Sequence, residues 1–416
     1  MTTVREVDLS RPAFKADPYP FYARLRAEAP VCRLTLADRR SAWLVTRYDD
    51  VVALLKDERF VNDGGRVRTP EQEARQPWVP QAFKRLQRNL LALDAPDHTR
   101  LRTLVHKAFT PRLIENMQVR IRSLANELLD AVAARGRIDV IRDFALPLPT
   151  TIIAEMLGVP ARDRSRFHRW SNALVSSTSS LWGTLKTLPH VMAFLRYIGK
   201  LVKARQAAPK EDLASALVMA HEAGDCLSED ELVAMIFLLL VAGHETTVNL
   251  IGNGVLALLE HPGQMERLRD DPGLIKPAVE EFLRYDPPVH LGSERYAREE
   301  VTIGGVPIAR GEMVHPLLGS ANRDERQFAR PDDLDIAREP NRHVAFGQGV
   351  HYCLGAALAR MEGQIAINTL LRRMPELRLV VPRDALRRRP GMGLHGLESL
   401  PVASSRRRAP VLQAAR

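Results

Sequence analysis

The stretch Phe346-Gly347-Gln348-Gly349-Val350-His351-Tyr352-Cys353-Leu354-Gly355 gathers the residue types of a metal-binding loop. It carries one of only three cysteines in 416 residues, with two glycines ahead of it and one behind. Glycine tolerates positive φ and lets a backbone approach a neighbour closely. Residues 354–371 then place Leu358, Met361, Ile365 and Ile367 among strong helix formers, which predicts a helix. Cys353 so stands at a loop-to-helix junction, where helix N–H groups and the positive dipole end favour a thiolate. A thiolate is a strong, soft ligand for iron. A free cysteine is also, more simply, a small buried apolar residue.

A second constellation is Ala242-Gly243-His244-Glu245-Thr246-Thr247, set inside an apolar stretch. An acid and two hydroxyls buried there need partners. Thr246 or Thr247 can bond back to a carbonyl one turn earlier and loosen the helical ladder. Gly243 leaves room for a ligand. A hydroxyl beside a carboxylate is an arrangement for delivering protons. His244-Glu245 opens like H-E-x-x-H, but Val248 stands where the second histidine belongs, so the zinc reading fails.

The elements that must position these groups are legible in outline. Ser228 and Glu231 form a capping box, and a helix without proline runs from there to about Glu260. At 1.5 Å per residue it is roughly 45–50 Å long. The run 232–243 is apolar all round, hence buried, and is shorter than the about 20 residues a bilayer needs. Asp97 is placed to cap a helix to about Ala108, with His98 and Arg102 on one face, which is either a solvated face or a pair of donors for an anion. Ala278 to Tyr285 reads as a short helix carrying Glu281 and Arg284 three apart. An exposed pair of that kind contributes only a few tenths of a kcal/mol.

Residues 20–28 and 48–56 read as helices, 42–46 as a strand and 301–308 as a hairpin. Residues 61–81 read as a long surface flap. Residues 111–160 read as helices interrupted by Pro147 and Pro149, and 170–195 as helices with a flexible joint. Gly391-Met392-Gly393-Leu394-His395-Gly396 fits G-x-G-x-x-G, yet no strand precedes it and no helix follows. A turn dipping toward a pocket is the better reading than a dinucleotide site. No nicotinamide, flavin or iron–sulfur motif is visible.

The net charge of +10 is concentrated. Between 381 and 416, eight arginines face only Asp384 and Glu398, which accounts for +6. That is a solvated basic tail, and no nucleic-acid motif accompanies it. Cysteines at 32, 226 and 353 form no disulfide framework and fit a reducing compartment. Met1 to Pro20 holds no apolar run fit for a signal peptide or membrane anchor. The expectation is a soluble, cytoplasmic protein.

Phe346, Gly349, Cys353 and Gly355 match F-x-x-G-x-x-x-C-x-G, 242–247 match A-G-x-E-T-T, and Glu281 and Arg284 match E-x-x-R. In this order, over residues from about 40 to 400, the chain resembles the soluble bacterial cytochrome P450 monooxygenases, a haem-thiolate family. Asp94-Ala95-Pro96 departs from the family's usual Asp-Pro-Pro.

The resemblance implies a mainly α fold with small β-sheets, one haem-binding domain over 1–403 and a basic tail at 404–416. It implies haem b (iron protoporphyrin IX), with Cys353 as the iron ligand, Phe346 shielding the sulfur and Gly355 in the loop. His98, Arg102, Arg295 and His351 would meet the propionates. Ala242 and Gly243 would leave space over the iron, and Glu245 and Thr246 would manage protons for bound O2. Arg338 would complete the E-x-x-R group, with Arg342 as the alternative. Val241, Val289, Leu291 and Leu394 would line an apolar cavity for a lipophilic substrate, with 61–90 as flap and 170–195 as lid. Electrons would come from NAD(P)H only indirectly, through a ferredoxin or flavodoxin docking near Arg102, Lys107 and Arg360 on a monomer. Rival readings are a peroxide-driven peroxygenase and a haem carrier or gas sensor. The Glu245–Thr246 pair argues against both.

Overall fold

The computed structural model describes residues 9, 11–36, 40–74, 76, 86, 88–132, 135–164, 166–167, 170, 181–222 and 225–403. The basic tail and much of the expected flap and lid lie outside the described residues.

The central helix, Glu229–Glu260, starts where its capping box predicts. Ser228 Oγ accepts from the Glu231 amide, and the Glu231 carboxylate accepts from the Ser228 amide at 2.9 Å. It ends at His261, before Pro262. The helices Pro147–Met156, Leu181–Ala207, Ile275–Tyr285 and Ala356–Arg373 pack around it. By length and composition it could cross a bilayer, but 61% of its most apolar window is buried inside the protein. Its second half, 247–258, is buried throughout, while Phe237, Leu238, Leu239 and Val241 are only half-buried and Ala242 and Gly243 are exposed.

Two local expectations are corrected. Asp97 is the first residue of the helix Asp97–Ala108 and makes no cap; its carboxylate accepts from Arg66 Nη2 at 2.6 Å instead. Pro147 and Pro149 do not break a helix but lie in the first turn of one, where a missing N–H deprives no carbonyl of a partner. Leu181–Ala207 is one helix despite Pro189 inside it. The stretch ahead of it, 171–180, lies outside the described residues.

Small sheets flank the helices. A five-stranded sheet runs in the order Val31–Thr35, Ser41–Val45, Met313–Pro316, Arg295–Ala297 and Phe60–Val61. Strands Arg378–Leu379, Pro401–Ala403 and Arg137–Asp139 form a second sheet. The hairpin Val301–Ile303 with Val306–Ile308 forms as expected, turning on Gly304 and Gly305 at φ 55° and 80°. Positive φ at both turn residues is what a tight two-residue hairpin demands.

The E-x-x-R pair differs from a surface pair. Glu281 and Arg284 are fully buried and joined by two bonds of 2.8 Å. Arg338 Nε lies 3.1 Å from both Glu281 oxygens, and the Asp335 amide and Asn341 side chain also donate to them. Arg284 donates onward to the carbonyls of Asn322, Pro331 and Asp333. Arg338 is therefore the third member. Arg342 is not; its carbonyl accepts from Tyr48. This group fixes the chain that leads into the cysteine loop.

Candidate active site

The cysteine loop is closed by its own backbone. The Cys353 amide donates to the Phe346 carbonyl at 3.0 Å. Gly347 and Gly349 adopt φ 72° and 71°, and a Cβ on Gly349 would lie 2.8 Å from the Leu55 carbonyl. Gly355 caps the following helix at φ −85°, with nothing within 4 Å of a would-be Cβ. Phe346 is half-buried under the Arg360 guanidinium, 4.4 Å from its ring centre. Arg360 in turn holds Glu280 through two bonds of 2.7 and 2.8 Å.

The expectation that the helix start favours a thiolate is not met by the chain alone. The helix begins at Ala356, three residues on, and burial pushes the Cys353 thiol up. The Gly355 amide, Arg102 and Arg360 pull the other way without overcoming desolvation.

His98, Arg102, Arg295 and His351 come together beside this loop. The His98 and His351 rings are 4.3 Å apart. His351 Nδ1 faces the Leu90 carbonyl at 3.2 Å, and its Nε2 is 3.8 Å from Asp94. Arg102 donates to the Tyr352 carbonyl at 2.7 Å. His98 and Arg295 are each 3% exposed, yet His98 Nε2 and Arg295 Nε have no partner among the described residues. Desolvation pushes His98 down to about 4, with His351 and Arg102 adding to the shift, and also lowers Arg295. Buried donors left over in a positive surrounding form a site for an anion.

On the central helix, Ala242 and Gly243 are the only exposed residues between Glu231 and Leu259. A Cβ on Gly243 would find no neighbour nearer than Ile153 at 4.0 Å. Thr246 Oγ1 donates back to the Ala242 carbonyl at 2.8 Å, and Thr247 Oγ1 lies 3.4 Å from the Gly243 carbonyl. Glu245 is buried, with Arg389 Nη1 3.7 Å away. Burial pushes its carboxyl up to about 7, while Arg389 and Lys15 pull it down.

Of the expected cavity residues, Val241 is half-buried on the helix, and Val289 and Leu394 are paired by a backbone bridge. Leu291 belongs to the core cluster with Tyr22 and Leu317. The turn 391–396 carries no dinucleotide fold: it is bound by Lys15, whose ammonium donates to the carbonyls of Arg389, Gly391 and Leu394.

Sequence reasoning missed several groups here. Lys15 and Arg389 meet Glu245 only through the fold. Glu362, on the helix after the cysteine, is buried against Thr247 and pushed up to about 8 by desolvation. Asn249 and Asn253 continue the line of Glu245 at four-residue spacing, a signal that was present in the sequence. Asp286, His290 and His395 are close enough to ligate an ion. Asp286 already accepts from Tyr19 at 2.6 Å and Arg388 at 2.8 Å, so a cation there would meet a matched carboxylate and an arginine.

A cysteine in a glycine-rich loop, a central helix that leaves Ala242 and Gly243 exposed beside Glu245 and Thr246, and unpartnered buried donors near the loop together fit the haem-thiolate class. The cytochrome P450 family profile matches residues 15–272 and 273–383, and the chain belongs to that family. It is 46% identical over 396 residues to the polyketide biosynthesis cytochrome P450 PksS of Bacillus subtilis strain 168, covering 94% of this chain and 97% of that one. The solved PksS structure superposes with a TM-score of 0.89, covering 96% and 100% of the two chains. The vitamin D(3) 25-hydroxylase of Pseudonocardia autotrophica is 43% identical, covering 98% and 99%. P450BioI, solved with a hexadec-9Z-enoic acid ligated acyl carrier protein, is 42% identical with a TM-score of 0.85, covering 95% and 99%. The chain is a P450 monooxygenase of the bacterial type, and the family's chemistry uses haem and O2.

Proposed function

We propose that the protein binds haem b between the central helix and Ala356–Arg373 and inserts one oxygen atom from O2 into a lipophilic small molecule. The observation that carries this assignment is the pair of orphaned donors, His98 Nε2 and Arg295 Nε, beside the cysteine loop. Carboxylates of the haem would give those two donors partners, with Arg102 and His351 close by. Bound haem would supply the activation of oxygen, which no side chain here can perform.

The chain's own residues do the rest. Cys353 presents its sulfur from a loop held open by Gly347 and Gly349, with Phe346 covering it and Gly355 starting the helix. Ala242 and Gly243 leave the opposite side clear. Thr246 offers a hydroxyl, and Glu245 holds or gives up a proton near neutral pH. Val241, Val289 and Leu394 offer an apolar wall, while Leu291 supports it from the core. The relatives' names make polyketides, sterol-like molecules and carrier-linked fatty acids the first compounds to screen.

A ferredoxin or flavodoxin would bring electrons to the face bearing Arg102, Lys107 and Arg360, and the protein would act as a cytoplasmic monomer. Turnover with such a partner should fall as salt rises. Turnover indifferent to salt would remove the steering argument. The deciding experiment is the absorption spectrum of the reduced protein with carbon monoxide. A strongly red-shifted Soret band supports a cysteine thiolate; no haem uptake at all would sink the reading.

A further inference from the structure

One face of the central helix carries polar side chains at four-residue spacing: Glu245, Asn249 and Asn253, exposed by 6%, 1% and 1%. Residues four apart on a helix are neighbours. Chain 388–397 doubles back along this line, with Arg388 bridged to Leu397 and the Arg389 amide donating to the Gly396 carbonyl at 2.9 Å. At one end Arg389 faces Glu245. At the other, Arg388 donates to Asn253 Oδ1 at 2.6 Å, and Asn253 Nδ2 donates to the carbonyls of Asp286 and His395 at 3.0 and 2.9 Å.

The middle is different. Among the described residues neither Oδ1 nor Nδ2 of Asn249 has a partner. Yet the packing makes way for this amide. A Cβ on Gly396 would lie 1.8 Å from Asn249 Oδ1, and Gly396 is not among the glycines with positive φ. Glycine is needed there for space and not for backbone conformation. An apolar side chain would avoid burying an unmatched amide altogether.

We propose that Asn249 holds an internal water molecule that also hydrogen-bonds the Glu245 carboxyl, which makes Asn249 a positioning residue for that acid. The inference rests on Glu245 as the proton-handling group. An amide with a free donor and a free acceptor is matched by water, which offers both, and buried waters take two to four such partners. A hydrogen bond from that water favours the ionised carboxyl and opposes burial. The other groups around Glu245 are Arg389 from the returning chain and Lys15 from the helix Pro12–Ala16. His244 on its own helix turns to the Leu240 carbonyl, and Thr247 with Glu362 lies toward Ala356–Arg373.

The test is an infrared titration of the full-length, haem-loaded ferric protein, with the Glu245 band assigned by its loss in Glu245→Gln. In Asn249→Leu the midpoint should rise. Peroxide released per NADPH, with a surrogate ferredoxin and lauric acid as probe, should increase about fivefold, a fraction of what a full proton donor contributes. Asn249→Ser keeps a hydroxyl and should restore most of both. A crystal structure should hold an ordered water within reach of Asn249 and Glu245. An unchanged midpoint in a folded Asn249→Leu, or a direct protein partner for the amide, overturns the proposal. If Asn249→Leu does not fold, the serine variant and the crystal structure decide. Unaltered peroxide release in Glu245→Gln would instead overturn the proton role of Glu245, while the titration still decides the water site.

Discussion

Arg102 Nη2 and the carbonyl of Tyr352 are 2.7 Å apart, which ties the helix Asp97–Ala108 to the residue before Cys353. Arg102 also reaches His106 Nε2 at 3.1 Å. The side chain expected to meet an anion is therefore also a brace on the thiol loop. Replacing Arg102 by Ala should speed haem loss by roughly ten- to a hundredfold, the range for groups that orient a ligand. Haem transfer to an apoglobin acceptor measures it. Arg102→Lys keeps the charge but not the fork and should recover only part.

Glu281 offers the clearest stability prediction. Its carboxylate is fully buried and meets Arg284, Arg338, Asn341 and the Asp335 amide. Arg338→Ala leaves that carboxylate short of a cation and should cost about 3–5 kcal/mol. Urea unfolding would read this as a lower midpoint with an unchanged slope.

The two glycines nearest the cysteine should behave differently. Gly349→Ala forces a side chain into positive φ and toward the Leu55 carbonyl, and should cost at least about 1–2 kcal/mol. Gly355→Ala meets open space at φ −85° and should fall within about 0.5 kcal/mol of wild type. Melting temperatures of the pair, measured side by side, test the distinction.

Glu245 makes folding depend on pH in a stated direction. Its folded value, up at about 7, lies above the ordinary 4.5, so the folded state binds the extra proton between them. Stability is therefore fully present below about pH 4.5 and declines as pH rises through about 7, by about 3 kcal/mol. Glu245→Gln should remove this decline. Urea midpoints of both proteins across that range check the sign.

The sequence carried the local logic well. Ser228 and Glu231 named the helix start because both partners of a capping box are three residues apart. The cysteine loop and the acid–alcohol pair were legible because their chemistry lies in contiguous strings. Burial was not legible. The spacing of Glu281 and Arg284 does not say whether the pair is exposed, and it is each other, Arg338 and the carbonyls of Asn322, Pro331 and Asp333 that make their interior position tolerable. The surroundings of Cys353 were hidden for the same reason: burial raises its thiol, while the Gly355 amide, Arg102 and Arg360 pull it down. Lys15 left no trace as a site residue because its partners are backbone carbonyls, which every sequence contains.

Lys15 also bears on the order of folding. Its bonds to Arg389, Gly391 and Leu394 span 374, 376 and 379 residues. Closing so large a loop is entropically unfavourable until other contacts have shortened it. The cysteine loop and its helix are local and can form early. The surroundings of Glu245 cannot, since they need both distant segments in place. On the ribosome, a chain halted before residue 389 would hold its cysteine loop but would lack Arg389 and the carbonyls that seat Lys15 near Glu245.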